Sequence, residues 1–206
     1  MAVKYRLGLP LYTKAGQCPA CSSHSDCLGD HVMCCGRKGE KIACHNPLHE
    51  LLHTTAVSAA LGPTKEGMFV LPGDDRRPAD ILIPHWTGGR DTALDVTVVN
   101  PLQVATGAGA ATNPGWALTY AFDKKMRGAA EDCRKQGITF VPLAAESLGG
   151  WHRVAVKQVQ KLAAALARHT GQEAEEAQRQ LFQKLCVLLV KGNCALFTNR
   201  TLEDTD

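Results

Sequence analysis

Residues 76–100 read RRPADILIPHWTGGRDTALDVTVVN. Two apolar, β-branched runs, ADILI (79–83) and ALDVTVV (93–99), flank the turn-forming TGGRD at 87–91. That is the pattern of an antiparallel hairpin. Aspartate is depleted inside strands, yet Asp95 sits between Leu94 and Val96. Side chains alternate across a strand, so Asp95, Thr97 and Val99 share one face and Leu94, Val96 and Val98 the other. Asp80 opens the first strand, and pairing of the two strands brings it toward Asp95. Two adjacent carboxylates repel unless a proton or a cation lies between them. Mg²⁺ suits such a pair because it takes carboxylate oxygens and keeps waters, and a metal-bound water can attack a phosphodiester. The same residues also admit a structural account, with Asp80 capping a turn and Asp95 paired to Arg77 or Arg90.

Outward from the hairpin, PGDDRRP separates it from MFVL (68–71), which predicts a preceding strand and a three-strand meander. Before that, PLHELLHTTAVSAA (47–60) places Leu48, Leu51, Leu52 and Val57 at helical spacing, with Asn46 as N-cap. After the hairpin a Gly/Ala-rich loop from Thr106 to Gly115 leads into a helix from Trp116 to Gln136, closed by Gly137. ITFVPL (138–143) reads as a buried strand. Helices follow over 153–169 and 173–190, separated at Thr170-Gly171. The order predicts an α/β protein, with a mixed sheet flanked by helices.

Six of the nine cysteines fall between Cys18 and Cys44. The segment 17–46 is too polar to be held by an apolar core. Cys18-Pro-Ala-Cys21 followed by His31 and Cys35 has the spacing of a tetrahedral zinc knuckle, with Cys34 as the alternative to Cys35. Four protein ligands would make the zinc structural. The N-terminus MAVKYRLGLPLY has no long apolar run, so no signal peptide is expected. No membrane span of about 18 apolar residues is expected either. Clustered cysteines without a secretory signal fit a reduced, intracellular chain. A net charge of +3 is too small to specify nucleic acid by itself.

Cys18, Cys21, His31 and Cys35 come first, then Cys44-His45-Asn46, then Arg77-Pro78-Ala79-Asp80, then Asp95. In that order they resemble the restriction-like endonuclease of non-LTR retrotransposons, a branch of the PD-(D/E)xK superfamily. The resemblance spans roughly residues 6–170. It implies a restriction-endonuclease-like core at 47–151, preceded by a basic lead-in and zinc knuckle at 1–46 and followed by a helical extension at 152–206. It implies metal-dependent nicking of DNA in the nucleus, structural zinc, and catalytic Mg²⁺ or Mn²⁺ on Asp80 and Asp95. The partners it implies are DNA and the mobile element's RNA.

The chain departs from the pattern in two places. Ala79 is inserted between Pro78 and Asp80, and the superfamily's strand lysine is replaced by Thr97. In the retrotransposon branch the lysine comes from the following helix, where Phe122, Met126, Ala129, Ala130 and Cys133 define the apolar face. Lys125 lies about 85° from the centre of that face and Lys124 nearly opposite, so Lys125 takes the catalytic role. Glu66 and Glu146 are further acids of lower weight, and Trp116 and Trp151 read as core. The competing possibility is a catalytically degenerate nucleic-acid-binding or protein-interaction module stabilised by zinc.

Overall fold

The computed structural model describes residues 1–35, 40–65 and 79–200. Within them, a short helix α1 (Ala2–Arg6) precedes a two-residue ladder, β1 (Gly16–Gln17) with β2 (His24–Ser25). Helices α2 (Asp30–Cys34) and α3 (Glu40–Ser58) come next. Then follow β3 (Thr64–Lys65), β4 (Ile81–Thr87) and β5 (Arg90–Val99). The chain continues through α4 (Gly107–Thr112), α5 (Trp116–Lys135), β6 (Thr139–Glu146), α6 (Arg153–Thr170) and α7 (Ala174–Thr198).

The four-stranded sheet runs β3-β4-β5-β6, with β4 and β5 antiparallel and β6 parallel to β5. The mixed α/β class follows, because a parallel pair needs a crossover and α4 and α5 supply it. Alternation divides the sheet. Ile81, Ile83, Leu94, Val96, Val141 and Leu143 face α3, α6 and α7 in the main core. Ala93, Val99, Phe140 and Ala144 face α5. Each fully buried leucine of the main core contributes about 1.5–3 kcal/mol. Leu48, Leu52, Leu185 and Leu189, at 0–1% exposure, bind α3 to α7. At Gly192 these helices approach so closely that a Cβ would lie 2.7 Å from the Cys44 sulfur.

Several expectations change. The helix before the sheet begins at Glu40 rather than after Asn46, and Pro47 lies inside it. Asn46 is therefore a helical residue and not an N-cap. Among the described residues Thr64–Lys65 is the strand that pairs with β4; the expected strand MFVL (68–71) and Glu66 lie outside them. The Gly/Ala-rich stretch contains the helix α4, because Gly109 lets it approach the Trp116 indole. Trp116 is 46% exposed and not a core residue. Gly137 ends α5 with φ +73°, as its position predicted.

Contrary to expectation, α7 is long and apolar enough to cross a membrane, by length and composition alone. Here Leu181, Leu185 and Leu189 are buried in the core shared with α3 and α6. Its C-terminal end also meets the N-terminal segment, where Tyr5 packs on Phe197 at 5.0 Å between ring centroids.

Candidate active site and metal centre

The register of the hairpin sets the acidic pair. Ile81 pairs with Leu94, and the Asp80 N–H donates to the Leu94 carbonyl at 3.1 Å. Continuing the register by one residue puts Asp80 across from Asp95. Asp80 Oδ2 accepts the Val96 N–H at 2.6 Å and lies 2.9 Å from Nε2 of His45. One helical turn on, His49 Nε2 donates to the Asp80 carbonyl at 3.1 Å. Thus α3 holds both the backbone and the carboxylate of Asp80.

Asp95 is 7% exposed and faces α5. Lys125 Nζ donates to its Oδ1 at 3.2 Å and lies 2.8 Å from Oδ2. The second approach is a charge contact outside hydrogen-bonding direction, so the buried Oδ2 accepts no hydrogen bond. Lys124, one residue away, is exposed. The helix-face argument therefore separates the two lysines as the structure does.

Burial pushes Asp95 up to about 6, with Lys125 pulling the other way and Asp80 adding to the rise. Burial also pushes Asp80 upward, but the His45 contact and the Val96 N–H outweigh it and hold the carboxyl below its ordinary value. The Asp80 contact in turn raises His45. Two anions and two cationic partners thus share one strand end. Among the described residues the charge partner of Asp95 is Lys125 and not Arg90; Arg77 lies outside them.

All four side chains border one pocket of ≈ 320 Å³, which continues along β5 to Asn100 and is walled by Met33 and Asn193. Glu146 stands apart from it, at the far end of β6 opposite Val99.

Cys18, Cys21, His31 and Cys35 converge, and their four ligand atoms all lie within 4.8 Å of one another. Such a cluster can hold a metal ion. Local sequence explains the convergence. Cys18 and Cys21 occupy a tight turn, in which the Cys21 N–H donates to the Cys18 carbonyl at 3.3 Å. Asp26 accepts the N–H groups of Gly29, Asp30 and His31 at 2.7–3.1 Å and so anchors the start of α2. His31 and Cys35 are four residues apart and face the same way. Cys34 turns elsewhere, with its sulfur 3.2 Å from the Asn100 amide. Hydrogen bonds from Ser23 lower Cys21 to about 6, the direction a thiolate ligand requires. The guanidinium of Arg200, 1% exposed, lies 3.7 Å from the Cys18 sulfur.

In the sequence His45 stands at the end of the Cys/His cluster and within the resemblance, without an assigned role. Its signal was the row His45, His49, His53 at four-residue spacing, which stacks along one face of α3. No family model matches the chain, and no curated protein matches it.

Proposed function

We propose that the chain is a divalent-metal-dependent DNA endonuclease of the restriction-like class carried by non-LTR retrotransposons. Its Cys/His segment would be folded around structural zinc, and its place of action would be the nucleus. The observation that carries the proposal is the pairing of a 7%-exposed strand aspartate, Asp95, with Lys125 across from Asp80, at the border of a pocket. A buried carboxyl whose protonation is strongly shifted by burial and a specific charge partner, set in a cleft, is a candidate functional group.

Asp80 and Asp95 would hold Mg²⁺ or Mn²⁺, and Oδ2 of Asp95, which meets the Lys125 ammonium at 2.8 Å but accepts no hydrogen bond, supplies an oxygen suited to it. Such an ion supplies Lewis-acid stabilisation of phosphoryl charge and a more acidic water. The chain's own groups do the rest. His45 fixes the Asp80 carboxylate, and the Val96 N–H fixes the same oxygen. The ammonium of Lys125, with its side chain 41% exposed, can carry a phosphate oxygen at the pocket mouth.

A supercoiled-plasmid nicking assay with Mg²⁺ or Mn²⁺ tests this. The wild type should nick, Asp95→Asn should not, and Lys125→Ala should be slower by on the order of 100-fold. Lys124→Ala should behave as wild type. One observation favours the degenerate alternative: both carboxylates already have protein cations as partners. Salt-sensitive DNA binding without metal-dependent nicking would establish that alternative.

A further inference from the structure

Beyond Leu94 the hairpin is one-sided. Ile81, the first residue of β4, pairs with Leu94, whereas β5 runs on to Val99 with β6 as its strand neighbour. The Leu94 carbonyl and the Val96 N–H both point to the Asp80 side. Alternation directs the N–H and C=O of Val98 the same way, past the end of β4 and toward the pocket. Asn100, Gln103 and Asn193 add side-chain amides to the lining, and Met33 and Leu196 add apolar surface. Asn193 is 5% exposed; its Nδ2 donates to the Ser147 carbonyl, but its Oδ1 has no partner.

We propose that this pocket receives a single nucleobase turned out of the DNA stack beside the phosphate held at Asp80 and Asp95. The proposal rests on the endonuclease reading and names a subsite for its substrate. The volume of ≈ 320 Å³, acidic end included, stands at the small end of ligand pockets and suits one nucleotide, its phosphate at the acidic end and its base beyond. The Val98 peptide, the Gln103 amide and the unpartnered Oδ1 of Asn193 offer both donors and acceptors, the complement of a base edge, whereas the Asn100 amide is held by Cys34, Leu102 and Ser147. The methionine and leucine suit its faces. Asp95 and Val98 are three residues apart on β5, about 10 Å. A nucleotide anchored by its phosphate at one end can therefore lay its base along β5. Gln103 reaches the pocket from a loop whose neighbours Leu102 and Val104 are 50% and 104% exposed. Apolar tips at such a rim suit the gap that a displaced base leaves in the stack.

The test uses the zinc-loaded full chain with Ca²⁺ in place of Mg²⁺, and duplexes carrying 2-aminopurine at successive positions. These span the nick site, or the tightest-binding duplex if no nick is found. Fluorescence should rise several-fold at one position on binding. Val98→Phe, which adds bulk where the pocket borders the main core, should lose that rise and nick intact duplex slowly, but should recover on a duplex abasic at that position. Gln103→Ala should nick while losing base preference there. If Val98→Phe cuts neither duplex, Gln103→Ala decides, and an unchanged preference overturns the proposal. Nicking with no fluorescent position overturns the base pocket and leaves the endonuclease standing. A fluorescent position without nicking does the reverse.

Discussion

In the N-terminal segment, four ligand atoms of Cys18, Cys21, His31 and Cys35 crowd within 4.8 Å of one another. At the strand end, Asp80 and Asp95 instead face His45 and Lys125 at 2.9 and 2.8 Å. Both regions gather ligands, but they answer differently to the loss of a metal. Without a metal the three cysteines are held together by protons and local turns, and the segment that carries them shares only a small apolar cluster, Tyr5, Tyr12, Val32 and Met33 against Leu196 and Phe197. The acidic pair carries its neutralising cations on α3 and α5, helices that the apolar core fixes. One site should therefore depend on metal to fold, and the other should persist without it and be changed by it.

The largest effect expected from that contrast is on zinc. Structural zinc contributes on the order of 10 kcal/mol, comparable to the whole stability of a domain. Freshly purified, reduced protein should hold one zinc per chain by metal analysis. Chelation should open residues 1–35 to proteolysis while the sheet stays protected. Cys21→Ser should mimic chelation. Protein that is zinc-free and fully protected would break the contrast.

Next in size is a pH dependence. Asp95 rises from its ordinary 3.8 to about 6, chiefly through burial. A carboxyl with a raised folded-state value binds its proton more tightly when folded, so stability falls as pH rises from 3.8 to 6 and is level above. The loss should amount to about 3 kcal/mol at 1.36 kcal/mol per pH unit. Asp95→Asn should lack it. Urea titrations of both proteins between pH 4 and 8 should therefore diverge through that window, and parallel curves would count against the buried charge.

Lys125→Ala comes third, at about 2 kcal/mol, since half-exposed pairs are worth less than buried ones. Its cost should shrink below pH 6, where Asp95 takes up a proton instead. The smallest effect belongs to Cys34→Ser, within about 0.5 kcal/mol and with zinc retained, because the Cys34 sulfur meets the Asn100 amide and is not one of the four converging ligands. Loss of zinc from this variant would redraw the ligand set.

Much of this was legible because it is local. The hairpin followed from period-two alternation and a Gly-Gly turn, and the choice of Lys125 over Lys124 from helical angle. The choice of Cys35 over Cys34 matched the i, i+4 relation to His31. The missed parts are those that the fold alone assembles. His45 fell in an expected loop, since Pro47 looked like a helix start; tertiary packing of Cys44 against Gly192 overrode that signal. The pocket wall joins Met33, Asn100 and Asn193 from three distant segments. No periodicity announces it. α4 was hidden because glycine-rich composition argues against a helix, whereas Gly109 is needed to clear Trp116.

The most direct test of the contrast is Mn²⁺ binding to zinc-loaded protein, followed by electron paramagnetic resonance. Wild type should bind Mn²⁺ in the micromolar-to-millimolar range with its zinc undisturbed. Asp95→Asn should lose the bound signal, and Cys34→Ser should keep it. Equal Mn²⁺ binding by wild type and Asp95→Asn, or none by wild type, would contradict a divalent-metal site at the strand end.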